Sequence, residues 1–369
     1  MTTRRMILQG LLAAGVLARG RAARAQVEHP PEVSIRRGVP YKRIATEEAY
    51  STDEVLDLYR SMIERNTSSD PGFVAMWGAF LRRDPDFFDQ LTSLGERRLR
   101  DMDTMGTHMH VLSLTAPGVQ VFDAQTATAV ARSTNDRLAE AVRNHPDRFA
   151  GLVTIAPQDP RGAAQEIERG MTTLGLHGII VNSHTNGEYL DDERYWEIFE
   201  AAEAHDAAIY IHPTTPAPAM LEPYLSRGLH GPLAGFAADV YLHSLALIVN
   251  GVFDRFPRLK IVLGHLGEGL PYVMYRLDHM QGQAPGLARK INDYLKDNFY
   301  VTTSGMAWPP AIEFAQQVLG ASRVLYAMDY PYQFDAAEVV TTDELDISDE
   351  DKLKLYQTNA EAVFHLRRS

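Results

Sequence analysis

Four side chains able to bind a metal or move a proton stand at the ends of strand-like runs. They are Glu47 in RIATEEAY, His212 in AAIYIHP, His265 in KIVLGHLGE and Asp329 in VLYAMDYP. Glu47, His212 and Asp329 supply one imidazole and two carboxylates, a set that holds a cation while leaving positions open for water or substrate. Such an open site is catalytic and not structural. Its oxygen weighting suits one divalent ion, Mn2+ or Zn2+. Singly, each residue has a plainer reading, since Asp before Tyr-Pro is a common turn residue and His before Pro a common loop residue. Convergence decides against it, because strand ends of a parallel barrel meet at one mouth.

His265 lies in Gly264-His265-Leu266-Gly267-Glu268. The glycines permit a tight turn, and Glu268 can bond one ring nitrogen and fix the tautomer, leaving the other for substrate or Asp329. Arg276, in the next helical pattern, is suited either to a bidentate grip on a substrate carboxylate or to a surface pair with Asp278. His108 and His110 form a second candidate metal pair on another run. His243 sits on a long apolar helix near the expected mouth.

These residues need a frame that brings them together. Apolar, β-branched runs recur at 43–50, 108–114, 149–155, 177–182, 207–212, 260–265, 298–303 and 324–329. Helical patterns alternate with them, over 127–144, from Pro160 to Gly175 and over 192–205. Alternation on this scale predicts an α/β fold, a (β/α)8 TIM barrel closed by right-handed crossovers. Insertions follow strand one (51–105) and strand five (213–256), both expected to overhang the mouth. The first opens with Ser51 and Glu54 placed for a capping box.

Composition sets further bounds. The chain of 369 residues is 45% hydrophobic and 23% charged, which suits one large barrel domain over 42–369 after a Pro-rich lead-in at 26–41. Residues 1–25 carry Arg4-Arg5, a short apolar run and Ala23-Arg24-Ala25, the pattern of a removable twin-arginine export signal. The expected location is periplasmic, with a cytoplasmic enzyme bearing a basic tail as the alternative. Without that segment no membrane anchor is expected. The formal charge of −12 becomes five units more negative once its arginines are gone. No basic patch is available for phosphates, which argues against nucleic acid as a partner. With Cys 0, disulfides, thiolate ligands and a cysteine nucleophile are excluded.

The phrases RIATEEAY, SLTAPGVQ, TIAPQDP, VNSHTNGEYLD, YIHPTT, GVFDRFP, GHLGEGLPY, VTTSG and VLYAMDYPYQ resemble the amidohydrolase superfamily, specifically its nonoxidative decarboxylase branch. Hydrolases of that superfamily open with His-x-His on strand one and bridge a second metal with a lysine on strand four. Here Glu47 and Ala49 stand in place of the pair and the lysine is missing, so the resemblance implies one metal. It further implies that Glu47, His212 and Asp329 bind that ion, and that His265, Glu268, Arg276 and Tyr332 surround the substrate. The implied reaction is decarboxylation of an ortho-hydroxy aromatic acid of the 5-carboxyvanillate type. Asp329 would protonate the ring carbon, tuned by His265 and Glu268. A homodimer or homotetramer is also implied, with Arg82 or Arg83 as candidates for a contact across subunits. Two other classes stay open: a metal-dependent hydrolase of a lactone or amide, and a periplasmic binding protein for aromatic acids.

Overall fold

The computed structural model describes residues 35–366; residues 1–25, read above as an export signal, lie outside them, as does most of the lead-in. Eight strands follow one another in chain order round one parallel sheet. They are β1 (Ile44–Tyr50), β2 (Met109–Leu114), β3 (Phe149–Thr154), β4 (Gly178–Val181), β5 (Ile209–Ile211), β6 (Ile261–Leu263), β7 (Phe299–Thr302) and β8 (Val324–Leu325). This is the expected TIM barrel. Inward residues Ile44, Val111, Leu152, Ile180, Val262 and Leu325 fill it, and Phe364 packs among them near the start of β4. Burying each branched or aromatic side chain of this kind contributes about 1.5–3 kcal/mol.

The seam between β8 and β1 closes differently from the other seven. Thr46 donates its backbone N–H to Tyr326 O at 3.0 Å, and Ala49 donates to Tyr330 O at 2.7 Å. The Glu48 carboxylate accepts the other bonds, from Met328 N at 2.9 Å and Tyr330 N at 3.0 Å. The run at 324–329 is therefore a ladder strand only at Val324–Leu325, shorter than its sequence suggests. Past Leu325 the amides turn to Leu355 O, Thr303 Oγ1 and Glu48, so the segment bends over the mouth without losing its hydrogen bonds.

A bulge in β1 decides which glutamate enters the barrel. Ala45 pairs with His110 and Glu48 with Leu112, so three steps on β1 match two on β2. Strict alternation from the inward Ile44 would point Glu48 inside and Glu47 outside. The extra residue reverses that phase. Glu47 meets the inward Tyr210, while Glu48 lies fully buried outside the barrel wall, 4.0 Å from His110 Nε2.

The first insertion forms four helices, α1 (Asp53–Glu64), α2 (Pro71–Phe80), α3 (Pro85–Thr92) and α4 (Glu96–Met105). Its expected capping box is displaced by one residue. Thr52, not Ser51, caps α1 by accepting from Val55 N, and Glu54 instead accepts from Ser133 Oγ. Crossover helices α5 (Ala124–Asn144), α6 (Pro160–Arg169) and α7 (Trp196–Ala204) follow. Asp123 and Asp159 cap the first two, satisfying amides that the helices leave open. The second insertion contributes α8 (Pro218–Leu225) and α9 (Gly235–Val249) before the short α10 (Val252–Arg255), and α11 (Leu270–His279) follows β6. Among the described residues no helix is long and apolar enough to cross a membrane.

Candidate metal centre

Each ligand's neighbours leave one atom facing a common point. The Glu47 carboxylate has its Oε2 held by the Tyr210 hydroxyl and by Thr302 Oγ1, the latter at 2.8 Å. Its Oε1 is buried and makes no hydrogen bond, and it stands 3.4 Å from His212 Nε2 and 3.7 Å from His265 Nε2. His212 donates Nδ1–H to Pro213 O at 2.7 Å, which turns Nε2 inward as a lone-pair donor. One ligand atom each of Glu47, His212 and Asp329 lies within 4.8 Å of the others. No other such cluster occurs among the described residues. Gly264 borders this space so tightly that a Cβ there would stand 2.7 Å from both Glu47 oxygens.

The charges also call for a cation. Burial drives the Asp329 carboxyl well above its ordinary range, and the Glu47 carboxylate drives it further. Burial lowers His212 against the pull of Glu47. Burial would lower His265 too, but Glu47, Glu268 and Asp329 outweigh it and push the imidazole up to about 10. Two buried carboxylates beside one unbonded oxygen repel each other unless a positive charge lies between them. A divalent ion of the hard or borderline kind fits that donor set.

His265 and Glu268 sit as the sequence predicts, with Nδ1 and Oε1 3.0 Å apart, a close ion pair off the line of an ideal hydrogen bond. His265, Leu266 and Glu268 all take positive φ, and Gly267 and Gly269 complete the tight turn. Asp329 itself sits at φ 69°, immediately before a cis Tyr330–Pro331 bond. Tyr332 is part of the same region: its hydroxyl lies 2.5 Å from Thr115 Oγ1, and its ring is near enough to Asp329 to feel its charge. Arg83 lies over the rings of Phe87, Phe80 and Tyr332 at 4.5, 4.9 and 6.0 Å, so α2 and α3 border the mouth within the same chain.

The remaining candidates lie outside the cluster of Glu47, His212 and Asp329. Arg276 is exposed on α11, with its charged end open to a ligand, while Asp278 accepts from Asn292 N. His108 accepts from Arg43 N at the opposite end of the barrel, and His110 points outward to Glu48. His243 is structural, receiving Leu190 N and facing Ser183 Oγ, with burial pushing it down to about 3. Sequence reasoning missed Tyr210 and Thr302. The period of two was a usable signal for Tyr210, which shares a face with His212.

A carboxylate and imidazole site with an unbonded oxygen, at the C-terminal mouth of a parallel barrel, defines a metal-dependent TIM-barrel enzyme. A family model described as amidohydrolase matches residues 49–366, and the chain belongs to that family, in its aromatic decarboxylase branch. It is similar to 5-carboxyvanillate decarboxylase from Novosphingobium aromaticivorans, solved with manganese and 4-hydroxy-3-methoxy-5-nitrobenzoic acid. Identity is 45%, over 90% of this chain and 99% of that one, with a TM-score of 0.87. The 5-carboxyvanillate decarboxylase of Sphingomonas paucimobilis is 40% identical over 88% and 99% of the two chains, with a TM-score of 0.84. Gamma-resorcylate decarboxylase from Polaromonas sp. is 36% identical over 341 residues, 88% of this chain and 99% of that protein. A Polaromonas dihydroxybenzoic acid decarboxylase structure also holds manganese, with 2-nitroresorcinol.

Proposed function

We propose that this chain removes CO2 from an aromatic acid carrying a hydroxyl ortho to its carboxylate, with 5-carboxyvanillate the foremost candidate. The protein is a metal-dependent nonoxidative decarboxylase, a carboxy-lyase of the amidohydrolase family. The observation that carries this reading is the Glu47, His212 and Asp329 cluster, with one buried Glu47 oxygen left unbonded beside an acid that burial favours in its protonated form.

Glu47, His212 and Asp329 would hold the divalent ion, which when bound would supply Lewis-acid stabilisation of the substrate phenolate. Asp329 holds the proton and delivers it to the ring carbon bearing the carboxylate, giving a dearomatised ring. The bond to the carboxylate then breaks, its electron pair restores the aromatic ring, and CO2 leaves. His265, oriented by Glu268, returns a proton to Asp329 for the next turnover. Arg276 is assigned to a ring carboxylate, and Tyr332 and His265 to the substrate's polar edge. Turnover of 5-carboxyvanillate and 2,6-dihydroxybenzoate by the Mn2+-loaded protein in D2O tests the scheme. CO2 release with one deuterium at the vacated carbon is expected, and Arg276→Ala should raise KM more than it lowers kcat. Lactone hydrolysis without CO2 release would turn the reading to a hydrolase.

We place the homodimer or homotetramer contact on an exposed aromatic face. Tyr272 and Tyr275 of α11 are 82% and 83% exposed and Trp308 is 62% exposed, a concentration typical of interface anchors. Light scattering should give a dimer or tetramer mass that Tyr272→Asp with Tyr275→Asp lowers; a monomeric parent rules the assignment out.

Export by the twin-arginine route is read from Arg4-Arg5, the short apolar run after them and Ala23-Arg24-Ala25. Replacing both by Lys in the full chain should move the enzyme from the periplasmic to the cytoplasmic fraction. An unchanged cytoplasmic location for both forms favours the basic-tail alternative.

A further inference from the structure

Glu48 has no part in the cluster, yet it is wholly buried and its two oxygens accept from the backbone amides on either side of Asp329. We propose that Glu48 is a positioning residue, whose carboxylate clamps the Met328 and Tyr330 amides and so holds Asp329 in the left-handed conformation from which its side chain reaches the metal centre. The proposal rests on the reading of Asp329 as proton donor and ligand.

The geometry favours a clamp over a passive buried acid. A non-glycine residue at φ 69° is disfavoured, and the Glu48 oxygens are the partners of the two amides that flank it. Both flanking amides would be orphaned without Glu48, at a cost that buried donors rarely bear. The rest of the cradle grips the same residue: Ala49 N bonds Tyr330 O at 2.7 Å, Asp101 accepts from the Tyr330 hydroxyl at 2.7 Å, and the Arg98 guanidinium lies 4.6 Å from the Tyr330 ring centroid. Arg98 is also fully buried, bonded to Ala49 O and Ser93 O, and its charge partly opposes the upward push that burial gives the Glu48 carboxyl. Two adjacent residues of β1 thus serve the same site from opposite sides of the wall. The bulge sends Glu47 to the ion and Glu48 to the segment that carries Asp329.

The test uses Glu48→Gln, which keeps the shape of the side chain but only one acceptor oxygen. Expected results are a kcat lowered about 100-fold with KM changed less than threefold, and faster hydrogen exchange of the segment 326–332 in metal-free protein. Mn2+ binding, read from the EPR signal of free Mn2+, should weaken in the parent background. In an Asp329→Ala background, which offers the ion no side-chain oxygen at that position, Glu48→Gln should weaken it no further, because a residue that acts through Asp329 has nothing left to position. If Glu48→Gln does not fold, Glu48→Asp, which is one methylene short of spanning both amides, carries the same measurements. A folded variant with kcat within threefold of the parent overturns the proposal, as does an equal loss of Mn2+ affinity in both backgrounds. If Asp329→Asn by itself leaves kcat and Mn2+ affinity unchanged, the functional reading is what has failed. If Asp329→Asn is impaired and Glu48→Gln is not, only the clamp has failed.

Discussion

Asp329→Asn is expected to lower kcat by about 10^3-fold, within the range that removing a general acid costs, while the protein still binds close to one Mn2+ per chain. The amide keeps a carbonyl oxygen that can face the cluster of Glu47 and His212. It has no proton acidic enough to give to a ring carbon. In the metal-free site burial and the Glu47 carboxylate both push the Asp329 carboxyl up, and a bound cation opposes that push. In the variant, substrate should bind with a KM within a few fold of the parent and then wait. Single-turnover mixing with 5-carboxyvanillate would show this as unchanged binding followed by a slow CO2 step. A variant retaining a tenth of parental activity would mean that the ring proton comes from another group, with His265 the nearest alternative.

The frame that places Asp329 was legible where periodicity is strong and illegible where it is broken. Each of the eight apolar runs contains a strand of the barrel, because a strand buried on both faces reads as a continuous apolar stretch. The last run misleads for the same reason: 326–329 is as apolar as a strand, but its amides bond Leu355 O, Thr303 Oγ1 and the Glu48 side chain instead of the backbone carbonyls of a neighbouring strand. The paired glutamates show a second limit. Alternation alone assigns Glu48 to the interior, and only the bulge between Ala45 and Glu48 gives that place to Glu47. A bulge leaves no mark in a single sequence when no glycine is needed to make it. The His265 and Glu268 contact was readable because three residues across a glycine turn is a local distance. The Tyr210 bond to Glu47 spans 163 positions and depends on barrel closure.

Mn2+ should raise the Tm of the parent protein by about 5 °C at a hundredfold excess over its Kd, and a chelator should reverse the shift. Binding to the native state alone contributes about 2.7 kcal/mol under those conditions, and a chain of this size gains roughly 2 °C or a little more per kcal/mol. Glu47→Gln should abolish both the shift and turnover at micromolar metal. The variant loses the charge that balances the cation, and its single carbonyl oxygen cannot at once satisfy Tyr210 and Thr302 and face His212, as the two carboxylate oxygens do. In metal-free protein the same substitution should change Tm little. It relieves the repulsion between Glu47 and Asp329 but also loses the attraction of Glu47 for the His265 imidazole, and the two oppose each other. A damaged core would lower Tm with or without metal, so a loss confined to the metal-bound state separates a lost ligand from a lost fold. If Mn2+ stabilises Glu47→Gln as much as the parent, the ion binds elsewhere, and the unbonded Glu47 oxygen has another purpose.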